Sequence, residues 1–224
     1  MEDILKGLNP NQKEAVTYVG SPLLLLAGAG SGKTRVLTHR VAFFIQKKIA
    51  KPSEILLLTF TNKAAEEMKK RTQKLLPTVR AHHDAPLSKD NIFAGTFHSF
   101  CCRILRADGN NIGIPSKFVI YDSNDQENLI KNIIHELGLT TQEFKPSSVL
   151  YYIEAAKNSF QTPKEMIAQS HGLWQDYAAK IYSRYQQKLS DFHALDCNDL
   201  LFKTVELFLE HPDVLVKYQD IYKF

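Results

Sequence analysis

The stretch LLLLAGAGSGKTR, from Leu23 to Arg35, holds the residues best suited to chemistry. An apolar run breaks into a short loop, Ala27-Gly28-Ala29-Gly30-Ser31-Gly32, and Lys33 and Thr34 follow at once. A loop of this kind turns successive backbone N–H groups toward an anion, and the Lys33 ammonium adds a point charge. The Thr34 hydroxyl is placed to take one Mg2+ coordination position. The strict phosphate-loop pattern asks for glycine where Ala27 stands, and the short side chain of Ala27 still lets the loop turn.

Gripping a phosphate and cleaving it are different tasks. Cleavage needs an acidic residue at the end of a buried strand to hold Mg2+, and a group that orients the attacking water. One apolar run ends in an acid, FVIYDSND at Asp122. Asp122 immediately precedes a helix-start signal, so a turn or helix cap is the better reading.

Two further runs end in polar groups. ILLLTF (55–60) leads into TNKAAEEMKKR, and IFAGTF (92–97) leads into HSF. Asn62 stands where a helix cap belongs, Lys63 opens that helix, and Thr96, His98 and Ser99 open another. Open parallel sheets bind ligands outside the carboxyl ends of their strands, so all three segments are expected on one edge. Helix starts there can take phosphates, and Phe60, Phe97 and His98 offer flat faces beside them. For each of these aromatics a core position explains the residue as well as base stacking does.

The elements that must position these groups alternate regularly. The runs 23–27, 55–60 and 92–97 are continuously apolar, as strands buried on both faces are. Helical patterns follow over 34–48, 63–76 and 97–107. Strand–helix repetition predicts an α/β fold with a parallel, doubly wound sheet and right-handed crossovers. Residues 77–91 read as a polar surface connection. From about residue 112 amphipathic helices take over. One starts with a capping box at Ser123 and Gln126, buries Leu129, Ile130, Ile133, Ile134 and Leu137, and stops at Gly138. Another starts at Thr162-Pro163 with Glu165 closing its box. Leu173, Tyr177, Ile181, Tyr185 and Leu189 form a stripe at helical spacing, for which core packing is the commoner meaning.

Composition sets wide bounds. A chain of 224 residues, 44% hydrophobic and 23% charged, is an ordinary globular protein of one large or two small domains. A formal net charge of +4 permits a nucleic-acid partner without requiring one. Cys101, Cys102 and Cys197 make no even framework, and His82 and His83 have no ligand-like neighbours. The first residues, MEDILKGLNP, do not resemble a secretory signal, and the longest apolar run is too short to cross a membrane. A cytoplasmic location is expected.

LNPNQKEAV (8–16), AGAGSGKT (27–34), TFTNKAAEEM (59–68) and GTFHSF (95–100) resemble, in order, the Q motif and motifs I, Ia and Ib of superfamily 1 DNA helicases of the UvrD/Rep/PcrA type. The match resumes at HALDCNDLL (193–201), where Cys197 and Asn198 depart from the family's usual Asp-Phe-Asp-Asp and receive no role. The resemblance implies a P-loop NTPase (RecA-like) parallel sheet with helices on both faces, plus an inserted all-helical subdomain. Residues 1–111 would be the first part of motor subdomain 1A, 112–194 the helical subdomain 1B, and 195–224 the return into 1A ahead of the acidic Walker B motif. It also implies that Gln12 reads the adenine edge and that Ala27, Gly28, Ala29, Gly30, Ser31, Gly32, Lys33, Thr34 and Arg35 surround the nucleotide. Lys33 and Thr34 would serve catalysis, with Thr34 on Mg2+. Phe60, Thr61, Asn62, Lys63, Thr96 and His98 would lie along single-stranded DNA.

The implied activity is ATP-driven 3′-to-5′ translocation and unwinding at single-strand/duplex junctions, in DNA repair or replication. The chain ends at Phe224, before the acidic strand and the second motor domain of that family. It is therefore expected to be monomeric, to hold ATP and Mg2+, and not to cleave ATP by itself. The alternatives are a fused helicase–nuclease relative, a non-catalytic nucleic-acid-binding P-loop module and a small-molecule phosphotransferase. The last would have no use for TFTNKAA or GTFHSF.

Overall fold

The computed structural model describes residues 4–77 and 91–224, and the backbone of 80–82. The fold is mixed α/β with two small parallel sheets. The chain divides into two compact units, Met1–Phe100 with Leu215–Phe224, and Cys101–Val214.

The first unit contains α1 (Pro10–Thr17), α2 (Lys33–Gln46), β1 (Leu56–Thr59), α3 (Asn62–Leu75), β2 (Arg80–His82), β3 (Asn91–Thr96) and the start of α4 (Phe97–Asp108). Its strands are parallel in the order β1-β3-β2. The central strand, β3, is buried from Ile92 to Thr96, which accounts for its unbroken apolar sequence. Val41 and Phe44 of α2, Met68 of α3, and Ile55, Leu57, Ile92 and Ala94 form one core. Leu8, Ala15, Val16 and Val36 form a second, between α1 and α2.

Two expectations about the strands and connections of this unit fail. Residues 22–28 form no strand, and Leu24 and Leu26 are 81% and 90% exposed. Extended backbone becomes a strand when a neighbour supplies the ladder, and here the free edge of β1 is met by the Phe224 carbonyl, which accepts the Leu56 N–H at 2.8 Å. The connection over 77–91 is not uniformly irregular: Arg80–His82 form β2 against β3. Residues 78–79 and 83–90, including His83, lie outside the described residues.

The second unit adds β4 (Val119–Tyr121), α5 (Ser123–Glu136), α6 (Pro146–Asn158), α7 (Pro163–Ala168), α8 (Leu173–Asp191), β5 (Ala194–Asp196), α9 (Cys197–Glu210) and the start of α10 (Pro212–Ile221). It is not purely helical, because β4 and β5 pair in parallel. The α5 capping box lies one residue earlier than the sequence suggests. Asp122 is the cap, exchanging bonds with Asp125, while Gln126 turns inward to donate to the Tyr121 carbonyl. Thr162, Pro163 and Glu165 start α7 as their types require. Of the α8 stripe, Ile181, Tyr185 and Leu189 are fully buried among α5 and α6 side chains, Tyr177 is partly buried, and Leu173 is exposed.

A buried ionic cluster joins α6, α8 and α9. The Lys157 ammonium meets Asp196 Oδ2 at 2.6 Å and Asp199 Oδ1 at 2.7 Å. The Tyr185 hydroxyl donates to Asp196 at 2.9 Å and the Gln186 amide to Asp199 at 3.3 Å. The two carboxylates also form the α9 capping box. Burial pushes the Asp199 carboxyl above the usual carboxylate range, against the pull of Lys157, because one ammonium faces two acids. Replacing Lys157 by Met strands both carboxylates in the interior and should cost about 3–5 kcal/mol in a urea unfolding series. A raised acid favours folding below the unfolded Asp value and loses that contribution as pH rises through its own value. Asp199→Asn should therefore lose less stability than Lys157→Met and flatten the decline in stability above the ordinary Asp range.

Candidate nucleotide and nucleic-acid site

Gln12 sits in the first turn of α1, where Asn9 caps the helix. The Gln12 N–H donates to Asn9 Oδ1 at 2.8 Å, and Gln12 Oε1 accepts the Asn9 N–H at 3.1 Å. The other end of the same amide, Nε2, donates to the Ser31 carbonyl at 3.1 Å. One side chain therefore closes the α1 cap and touches the glycine-rich loop.

The loop is organised by its own polar groups. Ser31 Oγ donates to the Gly28 carbonyl at 2.7 Å, and Lys33 Nζ donates to the Ala27 and Gly28 carbonyls at 2.8 and 2.7 Å. Gly32 begins α2 at φ +89°, and a Cβ there would lie 3.0 Å from Gln12 Nε2. The backbone angle demands glycine, and a side chain there would displace the Gln12 amide. No side chain caps α2 at Gly32, and the Gly32 carbonyl's first helical partner is the Val36 N–H. The N–H groups of the first turn, with the positive end of the helix dipole, thus suit an anionic ligand.

These features fit a nucleotide's phosphates. An oxyanion would take the first-turn N–H groups, and the exposed Lys33 ammonium would exchange two carbonyls for phosphate oxygens. Thr34 stands at the second helical position, where its hydroxyl suits a phosphate-bound Mg2+. Among the described residues no group of three or more His, Cys, Asp or Glu side chains gathers to hold a metal. Asp122 is occupied as the α5 cap.

The second cluster lies at the strand ends. The parallel register sets Thr59 of β1 beside Thr96 of β3, so the chain leaves both strands at one level. Phe60 and Phe97 follow immediately, with ring centroids 5.6 Å apart and planes inclined at 48°. Phe60 is 89% exposed and Phe97 41%, so Phe60 is not a core residue. Thr61, not Asn62, caps α3, accepting the Ala64 N–H at 3.2 Å. Asn62 and Lys63 are exposed in the first turn.

On β3, Thr96 is buried and its Oγ1 accepts the Ser99 N–H at 3.1 Å, which fixes the start of α4, while His98 is exposed. The Ser99 hydroxyl stands where a Cβ on Gly95 would be, 2.5 Å away, so Gly95 belongs to the working parts of this turn. Its signal was present in GTFHS but has no meaning until the α4 start lies over β3. Of the basic residues on α3, Lys69 is paired with Glu66 and Arg71 with Glu67, while Lys63 and Lys70 are exposed.

Gln12 and residues 27–35 thus form one cluster, and Phe60, Thr61, Asn62, Lys63, Thr96 and His98 another, both in the first unit. Comparison with known proteins gives a consistent picture. The family model of the UvrD/REP helicase N-terminal domain matches residues 8–224. A Bacillus subtilis protein named ATP-dependent DNA helicase PcrA is 44% identical over 221 residues, covering 99% of this chain and 29% of the relative. Proteins of the same name from Staphylococcus aureus and Leuconostoc citreum are each 40% identical over 224 residues. The chain spans about 30% of the length of these curated relatives.

Lys33 is exposed and contributes no core contact, so Lys33→Ala should leave the melting temperature near that of the parent chain while abolishing binding of a fluorescent ATP analogue. A thermal melt and an equilibrium titration on the same preparation check both halves.

Proposed function

The chain belongs to the UvrD/REP helicase N-terminal domain family, and from that premise we propose that it is the ATP- and single-stranded-DNA-binding part of an ATP-dependent 3′-to-5′ DNA helicase. In this reading residues 1–111 and 195–224 belong to a RecA-like P-loop motor subdomain and 112–194 to a helical subdomain inserted into it. Gln12 faces adenine, residues 27–35 hold the phosphates with Lys33 as the mobile cation, and Thr34 carries Mg2+. Phe60, Thr61, Asn62, Lys63, Thr96 and His98 line the DNA path. The whole protein works in the cytoplasm on single-strand/duplex junctions during repair or replication.

The observation that carries this reading is the exposed Phe60–Phe97 pair at the level ends of two parallel strands. A phosphotransferase acting on small molecules has no use for a solvent-facing aromatic step there. A strand of bases does, because every base has a flat face to stack. The exposed Asn62, Lys63 and His98 beside it supply polar and cationic groups for the backbone.

ATP hydrolysis by this chain alone is not part of the proposal. Asp122 caps α5, and Asp196 and Asp199 are committed to Lys157. The strand-end carboxylate and the arginine that stabilises transition-state charge would come from other parts of the whole protein. Phe60→Ala should weaken binding of labelled oligothymidine roughly 5- to 150-fold, the loss of one stacked base, in anisotropy titrations at two salt concentrations. An unchanged affinity would remove Phe60 from the DNA path. Phosphate release with saturating single-stranded DNA should stay at background for the parent chain, Lys33→Ala and Asp122→Ala alike. Turnover that requires both Lys33 and Asp122 would instead make Asp122 the metal carboxylate.

A further inference from the structure

The helix that carries Gln12 is held by packing of Ala15 and Val16 against Leu8 and Val36, and by hydrogen bonds at its ends. α1 has eight residues, a length at which an isolated helix is marginal in water. Its first turn is closed by the Asn9–Gln12 box, but its last carbonyls need donors from elsewhere. Arg40 serves one of them, Ala15, and the carbonyl of the C-cap residue, Tyr18. From α2, two turns beyond Lys33, its Nη1 donates to the Ala15 carbonyl at 2.8 Å and to the Tyr18 carbonyl at 2.6 Å.

The Arg40 guanidinium lies 4.5 Å from the centre of the Phe44 ring, which braces it from the same helix. A cation at a helix C-terminus is also favoured by the dipole. The neighbouring residue holds the segment before α1: His39 donates from Nδ1 to the Ile4 carbonyl at 2.6 Å. Burial lowers the Arg40 pKa from its ordinary value, the cost of placing a cation against helix carbonyls and a ring. Two charge-assisted bonds and the ring contact offset it.

We propose that Arg40 is a positioning residue for the base end of the nucleotide site: it holds α1 by its C-terminal carbonyls and so keeps Gln12 against the loop at Ser31. The inference rests on the reading that Gln12 faces adenine. It adds that base recognition depends on a residue of the phosphate-loop helix that touches no nucleotide. The helix that grips phosphates at its N-terminus thereby sets, from its middle, where the base is read. Lysine cannot substitute fully, because an ammonium does not lie flat on Phe44 as the planar guanidinium does while donating to both carbonyls.

The test compares ATP, GTP and inorganic tripolyphosphate as competitors of a fluorescent nucleotide on the 224-residue chain. The variants are Arg40→Ala, Arg40→Lys and Gln12→Ala, with a thermal melt of each. Tripolyphosphate reports the Lys33 side alone, and the ATP-to-GTP ratio reports the base. Arg40→Ala is expected to reduce the ATP preference about tenfold, the scale of one lost hydrogen bond, with tripolyphosphate affinity unchanged, and Arg40→Lys should restore part of it. Should Arg40→Ala fail to fold, Arg40→Lys carries the same comparison, with a smaller loss of ATP preference expected.

An ATP preference that Gln12→Ala abolishes but that survives in the Arg40 variants would overturn this inference alone. Loss of tripolyphosphate and ATP binding in equal proportion would also overturn it, because Arg40 would then support the loop in general. A parent chain with no preference for ATP over GTP, or a preference that Gln12→Ala leaves intact, would overturn the adenine role of Gln12 and this inference together.

Discussion

The parallel register of β1 on β3 is the constraint on which the exposed face of the first unit depends. Backbone hydrogen bonds fix Thr59 beside Thr96, so the residues that follow must emerge side by side. Phe60 and Phe97 meet because the ladder delivers them there, not because they attract one another strongly. A slip of one residue would invert every side chain of β1 between the two faces of the sheet, driving Leu57 out of the core. Core packing and the aromatic step are thus set by the same hydrogen bonds. Gly95 makes the arrangement possible on the β3 side, since Ser99 occupies the volume that any larger residue would need.

The other cluster depends on one helix. α2 presents the loop, Lys33 and Thr34 at its start, sends Val36, Val41 and Phe44 into two cores, and reaches α1 through Arg40 and the segment before α1 through His39. Positions three and four apart on a helix share a face, so Val36, Arg40 and Phe44 lie along one side of α2, where Phe44 braces Arg40 and Val36 packs in the core shared with α1. The result is a stiff post under a loop that contributes little hydrophobic burial of its own. Lys33 ties the loop to the start of α2 through the Ala27 and Gly28 carbonyls.

The second unit is built on a different balance. Its interior is largely aliphatic and aromatic, yet it encloses Lys157, Asp196 and Asp199 with a tyrosine and a glutamine around them. Charges of this kind rarely gain stability over apolar residues of the same size, but removing one partner is costly. The cluster ties α6 to the junction of β5 and α9, where Asp196 caps α9 and Asp199 closes its capping box. Short strands β4 and β5 pair within the same unit, bringing together segments far apart in sequence.

Much of this was written in local sequence. The glycine loop with Lys33 and Thr34, α2, α3, α4, α5 and α8 over most of their lengths, β1 and β3, and the Thr162–Glu165 box follow from spacing, periodicity and capping chemistry, which act over a few residues. Tertiary structure decided the rest. The apolar run 23–27 reads as a strand but has no ladder, because pairing is a property of neighbours and not of the run itself. β2, β4 and β5 have three residues each, too few for a periodic signal, and exist because a partner strand lies beside them. The cap of α5 moved to Asp122 because Gln126 found a better use inside. Composition could not say whether Phe60 was core or surface, since an aromatic suits both, and the register of two strands settled it. Nothing in the local sequence marks Lys157 or Arg40. Their importance comes from carbonyls and carboxylates that only folding brings within reach.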